Sequence, residues 1–331
     1  MGKNVSEFCS MLYEMAKTDS SRRFHSLYDK VQRMDFLEEA WKQVSENDGS
    51  AGTDGMTIRS ISEQGAQQLL ELIQQELRER TYSPSPLRRV WIPKSNGKKR
   101  GLGIPTVKDR IVQTAVKMVI EPLFECDFEP FSYGFRPNKS AHDAVDEIVK
   151  YLNFGCEHVV DADITACFDN IPKHNLMMQI AKRISDGALL HLIRQFLDAG
   201  IMEDNEIHTQ ERGTPQGSPL SPLLANIFLD QLDKQWKHSL LWMKSSADAH
   251  LVRYADDRAP RRKWNMFNCI RTGIKCPDAG PAEDMAACSL PCSNEDGGGP
   301  PGAAMQVEAP NHRKLLWSKA TVVSVTGKGP A

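Results

Sequence analysis

The amino-acid sequence predicts an α+β fold in which helices dominate and strands are few. Three observations point there. Apolar residues recur at helical spacing along much of the first 258 residues, strand-like runs are short, and the two kinds of element interleave without the steady β-α-β alternation of a doubly wound sheet. Val31, Met34, Leu37 and Trp41 fall near one face of a helix expected over 31–46, and Leu69, Leu70, Ile73 and Leu77 do the same within a helix over 62–80. Residues 89–94 and 98–104 read as a strand pair, because Asn96-Gly97 between them suits a tight hairpin turn. Thr106 with Asp109 resembles a capping box for a helix carrying Ile111, Ala115, Met118 and Val119, and Ser140 with Asp143 does so for a helix reaching Leu152. A short buried strand is expected over 158–164, then helices near 172–184, 187–198 and 223–233, and a strand at Leu251 and Val252.

The composition, 40% hydrophobic and 25% charged over 331 residues, is that of a globular chain of two or three domains. A net charge of −2 excludes a uniformly basic, nucleic-acid-coating protein, so any such site is local. No run approaches the ~20 apolar residues of a membrane span, and Lys3, Glu7, Glu14 and Lys17 break up the N-terminus, so a cytoplasmic protein without a membrane partner is expected. Cys9, Cys126, Cys156 and Cys167 are too scattered for a disulfide framework, which favours reduced thiols. The composition changes at 259: the last 73 residues hold 8 Gly and 8 Pro and lack long apolar periodicity, the pattern of a poorly ordered tail. Its Cys269, Cys276, Cys288 and Cys292 lack the paired spacing of a zinc knuckle.

Four features could carry chemistry. Asp256 and Asp257 follow Tyr254 and Ala255 at the end of an apolar run, which suits either a solvated turn or one half of a metal site. Asp163 ends the apolar run 158–164, where a carboxylate needs a proton, a partner or a metal. Strand-end carboxylates from distant positions suit two Mg²⁺ ions, whose preference for hard oxygen ligands leaves places for phosphates, and that points to nucleotidyl transfer. Between them lies 213–222, GTPQGSPLSP, a fixed turn in which Ser218 or Ser221 can cap the next helix while Gln216 projects an amide. Arg88, Arg89, Lys94, Lys98, Lys99, Arg100, Lys108 and Arg110 form a basic hairpin that can take a triphosphate or a template backbone, or be a solvated face. Tyr82 and Trp91 beside it can pack or stack on bases.

Together these stretches resemble a known family. IPKSNGKKRGLGIPTVKDRIVQ (92–113), SYGFRPNKSAHDAV (132–145), DADITACFDNI (161–171), GTPQGSPLSPLLANIFLDQLD (213–233) and RYADD (253–257) are similar to the blocks of bacterial group II intron-encoded reverse transcriptases, in their order, and NDGSAGTDGMT (47–57) looks like that family's extra N-terminal block. The resemblance implies a right-hand polymerase, with an N-terminal arm over 1–30, the N-terminal block and fingers over 31–155, and a partial palm over 156–258. It implies Asp163, Asp256 and Asp257 as the palm carboxylates holding two Mg²⁺ ions, with the Ile164 carbonyl assisting. Phe168 matches the residue beneath the incoming sugar that discriminates against a 2′-hydroxyl, Gln216 the dNTP-contacting glutamine, and Lys94 and Arg100 the cations at the triphosphate. Arg136 falls in a block expected near template or nucleotide, and Asp169 is a supporting position. The implied partners are an RNA template, intron RNA, a DNA primer and dNTPs.

After YADD the family continues into a second apolar strand, whereas here Arg258, Ala259, Pro260, Arg261, Arg262 and Lys263 follow, and Pro260 lacks a ladder donor. No thumb or maturase region has a counterpart in 259–331, so a chain truncated after the motif is expected, impaired by itself, with a full-length homologous chain as a candidate partner. The alternatives at this stage are another bacterial reverse transcriptase lineage, such as a retron or phage-defence enzyme, and a non-catalytic RNA-binding remnant.

Overall fold

The computed structural model describes residues 2–93, 97, 99–154, 156, 164, 166–209, 212–242 and 250–255. Their architecture is α+β, as the sequence predicts. The centre is the helix Val107–Glu125, here α6, in which Val107, Ile111, Val112, Ala115, Val116, Val119, Ile120 and Leu123 are all fully buried. A helix apolar around most of its circumference must be enclosed, and the remaining helices enclose it. Helices α1 (Lys3–Thr18), α2 (Tyr28–Val31) and α3 (Met34–Glu46) pack on one side, with α5 (Ala66–Glu79) beyond α3. On the other side lie α9 (Lys173–Ala181), α10 (Gly187–Asp198) and α11 (Ser221–Trp242). Two expected helices are each divided in two. Val31 ends α2, with Gln32 and Arg33 outside both helices, and Gly65, at φ 94°, separates α4 (Ile58–Gln64) from α5.

The Asn-Gly hairpin forms as β1 (Leu87–Pro93) and β2 (Lys99–Ile104), antiparallel with Trp91 opposite Gly101. It extends into a four-stranded sheet of order β2-β1-β3-β4, because β3 (Ile201–Glu203) runs parallel beside β1 and turns back into β4 (Glu206–His208). The β3–β4 turn puts Asp204 and Asn205 at φ 50° and 64°, the left-handed pair of a type I′ hairpin. The expected strand over 158–164 has only Ile164 among the described residues. Leu251 and Val252 are not a strand; Arg253 alone pairs, in a parallel bridge with Ser132.

Buried carboxylates join these layers. Asp109 accepts from the Tyr82 hydroxyl (2.6 Å), the Ser85 N–H (3.1 Å) and the Thr106 hydroxyl (2.7 Å), while the Thr106 oxygen accepts the Asp109 N–H (3.1 Å). Thr106 therefore caps α6, but the reciprocal half of the expected box is missing: the Asp109 carboxyl accepts from the hydroxyls of Tyr82 and Thr106 and from the Ser85 N–H, not from the Thr106 N–H. At Ser140 both halves of the box are present, and α7 (Ala141–Asn153) follows. Asp186 caps α10 through the N–H groups of Ala188 and Leu189, and its second oxygen accepts from Leu27 and Tyr28 at the start of α2 (2.8 Å each). Burial pushes the Asp186 carboxyl up, but these four N–H groups outweigh it and hold it below the ordinary carboxylate range. Residues 3–31 are thereby stitched to the α9–α10 connection. Arg183 adds to this, donating to the carbonyls of Ala16 (2.7 Å) and Ser20 (2.7 Å) and pairing with Asp127 (3.0 Å).

Arg253 closes the other end. Its guanidinium pairs with Asp233 of α11, which is fully buried, through three contacts of 2.7–3.1 Å, and donates to Asn226 Oδ1 (3.1 Å) and Ser132 Oγ (2.6 Å). Its backbone N–H donates to the Phe131 carbonyl and its carbonyl accepts from Tyr133. Asn226 in turn donates to the Gly134 carbonyl (2.8 Å). Ala255 packs so closely on Gly134 that a Cβ there would come 2.3 Å from the Ala255 nitrogen, so only glycine fits.

Two outcomes are expected. Asp233→Leu strands a buried guanidinium and should cost about 3–5 kcal/mol in urea unfolding, while the double change Asp233→Leu with Arg253→Met should recover at least half of that. Asp186 has a depressed pKa, so its contribution is complete above the ordinary carboxylate value and is lost as pH falls through the lowered one. Asp186→Asn should therefore be less stable at pH 7, by about 1 kcal/mol or more, and the difference from wild type should close below about pH 4 in denaturation followed at several pH values.

Candidate nucleotide site

A cavity of about 390 Å³ opens where the hairpin, the 213–222 turn and the segment around Phe168 meet, and Arg100, Arg110, Phe135, Phe168 and Gln216 line it. Arg100 is carried by β2, whose edge is completed by the turn: the Gly103 N–H donates to the Gln216 carbonyl (2.8 Å). Phe168 sits in the short helix α8 (Cys167–Asn170), and its carbonyl accepts the Thr214 N–H (2.7 Å), while the Gly213 N–H donates to the Ile171 carbonyl (2.8 Å). The 213–217 backbone is therefore hydrogen-bonded to the hairpin on one side and to the Phe168 segment on the other.

The Gln216 side chain repeats that bridge. Arg100 Nε donates to Gln216 Oε1 (2.6 Å), and Gln216 Nε2 donates to Asp169 Oδ1 (3.0 Å). Its carbonyl end thus faces the cation and its amide N–H₂ the carboxylate, so both neighbours orient it. Ser218 helps fix the turn by donating to Gln113 of α6 (2.8 Å) and accepting from the Leu220 N–H (3.3 Å), just before α11 begins at Ser221. The far wall is the 47–52 loop, where Asn47 and Gly49 line the cavity. It is strapped down by Arg88, which donates to the Ala51 carbonyl (2.9 Å), and by Arg110, which donates to the carbonyls of Ser50 and Pro105.

The basic hairpin is accordingly less free than its sequence suggests. Arg88 and Arg110 hold the loop, Lys108 pairs with Glu76 (2.6 Å), and Arg89 lies 3.6 Å from Glu203 and 5.3 Å from the centre of the Trp91 ring. Trp91 is half-exposed and donates to Glu203 (2.7 Å), and Tyr82 is buried against Asp109. Of the eight cations, Arg100 and Arg110 line the cavity, and Lys94 and Lys98 lie outside the described residues.

Arg136 does not line the cavity. Its guanidinium is bound to both oxygens of Glu125 (2.7–3.1 Å) and to the carbonyls of Glu129 (2.7 Å) and Ser132 (2.8 Å), so it anchors the 132–136 turn. Asp163, Asp256 and Asp257 lie outside the described residues, as does the cysteine-bearing stretch 259–331. Ala255, to which Asp256 is joined, is held by the Arg253 cluster. Among the described residues no group of three or more His, Cys, Asp or Glu side chains could hold a metal, and no helix is long and apolar enough to cross a membrane. The described cysteines, Cys9, Cys126, Cys156 and Cys167, are free thiols. Burial, and then Glu121 nearby, push the Cys9 thiol up to about 11, which keeps it protonated and unreactive.

Residues 92–259 match the family model described as reverse transcriptase (RNA-dependent DNA polymerase). Protein YkfC of Escherichia coli (strain K12) is 34% identical over 275 residues, covering 81% of this chain and 68% of YkfC. The group II intron-encoded protein LtrA of Lactococcus lactis subsp. cremoris is 41% identical over 212 residues, 64% of this chain but only 35% of LtrA. Among solved structures, a partial Cas6-RT-Cas1–Cas2 complex aligns with 70% of this chain and 37% of its own at 24% identity and a TM-score of 0.44. With the family model spanning half of it and a relative of similar extent beside LtrA, the chain belongs to the reverse transcriptase family, in its group II intron-encoded branch.

Proposed function

We propose that the chain is the nucleotide-adding part of a group II intron reverse transcriptase, extending a DNA primer with dNTPs on an RNA template. The single observation that carries this reading is the meeting of Arg100, Phe168 and Gln216 on one cavity from positions far apart in the chain. A cation, an apolar ring and an oriented amide are the groups a nucleoside triphosphate needs at its phosphates, sugar and edge. Arg100, together with Lys94, takes the triphosphate; Phe168 lies beneath the sugar; Gln216 turns its amide from Asp169 and Arg100 to the nucleotide. The fingers then correspond to 31–155 and the partial palm to 156–258, with 1–30 as an arm and 259–331 as a tail.

The carboxylates of Asp163, Asp256 and Asp257, with the Ile164 carbonyl, are hard oxygen donors of the kind Mg²⁺ selects. Two such ions, when bound, lower the barrier to attack of the primer 3′-hydroxyl and stabilise the leaving pyrophosphate. In the reaction the 3′-oxygen bonds to the α-phosphorus, the bond to the α,β-bridging oxygen breaks, and the hydroxyl proton is lost. The chain's own part is positional: Arg253 and Gly134 set the backbone that leads into Asp256, and the 213–217 turn sets Phe168 and Gln216. Intron RNA and a full-length homologous chain are proposed as further partners, by similarity to the intron-encoded protein LtrA.

Replacing Arg100 by Ala should raise the KM for dNTP about tenfold or more, the worth of a charge-assisted contact. Affinity for primer–template should change much less, because a backbone spreads its charge over many cations. Equal losses would identify the hairpin as a template clamp. Asp256→Asn should abolish single-nucleotide addition while RNA binding, read by filter retention, persists; addition at wild-type rate would exclude Asp256 from the reaction.

A further inference from the structure

Phe135 stands at φ 56°, in the left-handed region that a bulky side chain rarely adopts, yet the residue is 47% exposed. A strained backbone is ordinarily retained where its surroundings over-determine it, and such positions cluster at functional sites. Here the neighbours on both sides are fixed. Gly134 is wedged against Ala255 and its carbonyl is bound by Asn226, and Arg136 is anchored by Glu125 and the carbonyls of Glu129 and Ser132. Burial does not account for the conformation, since Phe135 remains about half exposed. Its placement does: Phe135 lines the cavity and meets the Phe168 ring edge to face, with centroids 6.4 Å apart and planes at 78°.

Phe168 has its backbone secured by the Thr214 N–H and most of its side chain packed into the core, at 6% exposure, and Phe135 is the aromatic neighbour that meets its ring at the cavity. An apolar surface that can give way rejects an added hydroxyl poorly. Rejection of a 2′-hydroxyl therefore requires a ring that cannot turn aside, and an edge-to-face neighbour supplies that restraint. We propose that Phe135 is a positioning residue for sugar discrimination, holding Phe168 so that the two rings act as one rigid surface against a 2′-hydroxyl. This inference rests on the reading of Phe168 as the residue beneath the incoming sugar.

The test uses the 331-residue chain bound to an RNA template and a dideoxy-terminated DNA primer with Mg²⁺, so that nucleotide binding is read without chemistry. The quantity is the ratio of ATP to dATP dissociation constants opposite a template uridine, which is independent of the fraction of active protein. Phe135→Gly should lower that ratio about 2- to 10-fold, the range an aromatic pair is worth. Its melting temperature should stay level or rise, because glycine takes a positive φ without strain. Phe135→Tyr, which keeps the ring edge, should restore the wild-type ratio. Phe168→Ala provides the independent arm and should lower the ratio at least as far. An unchanged ratio in Phe135→Gly while Phe168→Ala relaxes it would overturn the inference alone, as would equal weakening of both nucleotides. An unchanged ratio in Phe168→Ala, or no binding of either nucleotide by the wild type, would overturn the reading on which it rests.

Discussion

The buried pair of Arg253 and Asp233 governs how the rest of the site is placed. It gathers three segments that sequence holds far apart: the turn at Ser132, helix α11 through Asn226 and Asp233, and the stretch 250–255. Every acceptor around the guanidinium belongs to one of those segments, so none can shift without exposing a buried charge. Such a pair adds little net stability compared with an apolar replacement, because both ions must leave water. What it supplies here is position. The backbone of Arg253 is paired on both sides with 131–133, and two residues later Ala255 rests on Gly134, immediately before the acidic pair.

From that cluster a continuous set of contacts runs to the hairpin. The Gly134–Arg136 stretch presents Phe135 to Phe168; the Phe168 segment is bonded to 213–217; and 213–217 is bonded to β2. Gln216 belongs to both of the last two junctions, through its carbonyl and through its side chain. The cavity is thus a product of irregular backbone held between rigid elements, with α6 beneath it. Much of the hairpin's charge is used inside the protein, to strap the 47–52 loop or to pair with Glu76 and Glu203, and among the described residues Arg100 and the loop-bound Arg110 are the cations of this set that line the cavity.

Local signals explain which parts of this were legible. Asn96-Gly97 marked the hairpin and Ser140 with Asp143 marked a helix start, because both act over a few residues and need no tertiary partner. The α+β class followed from the spacing of apolar residues. Strands β3 and β4, of three residues each, are too short to show alternation, and Asp204-Asn205 is a weaker turn signal than Asn-Gly. The break at Gly65 was hidden because the apolar spacing from Leu69 onward hides a stop before it. Motif blocks brought Arg100, Phe168 and Gln216 forward, but not their relation to Asp169 or Phe135, since hydrogen bonds between distant side chains leave no periodic trace. Asp233 is a charged residue on a helix and reads as surface, and only its pairing with a distant arginine explains why it is fully buried. Arg136 lies in a nucleotide-site block and is spent on Glu125, a partner that the sequence does not mark.

The proposed function requires the acidic pair to reach the cavity that Arg100, Phe168 and Gln216 line. Crystals of the chain with RNA template, DNA primer and dNTP, grown in Mn²⁺ and measured at its absorption edge, test it directly. Anomalous peaks should lie between the Asp163 and Asp256 carboxylates, with the dNTP sugar on Phe168 and its triphosphate against Arg100. Peaks elsewhere on the surface, or carboxylates of Asp163 and Asp256 turned to different faces, would contradict it.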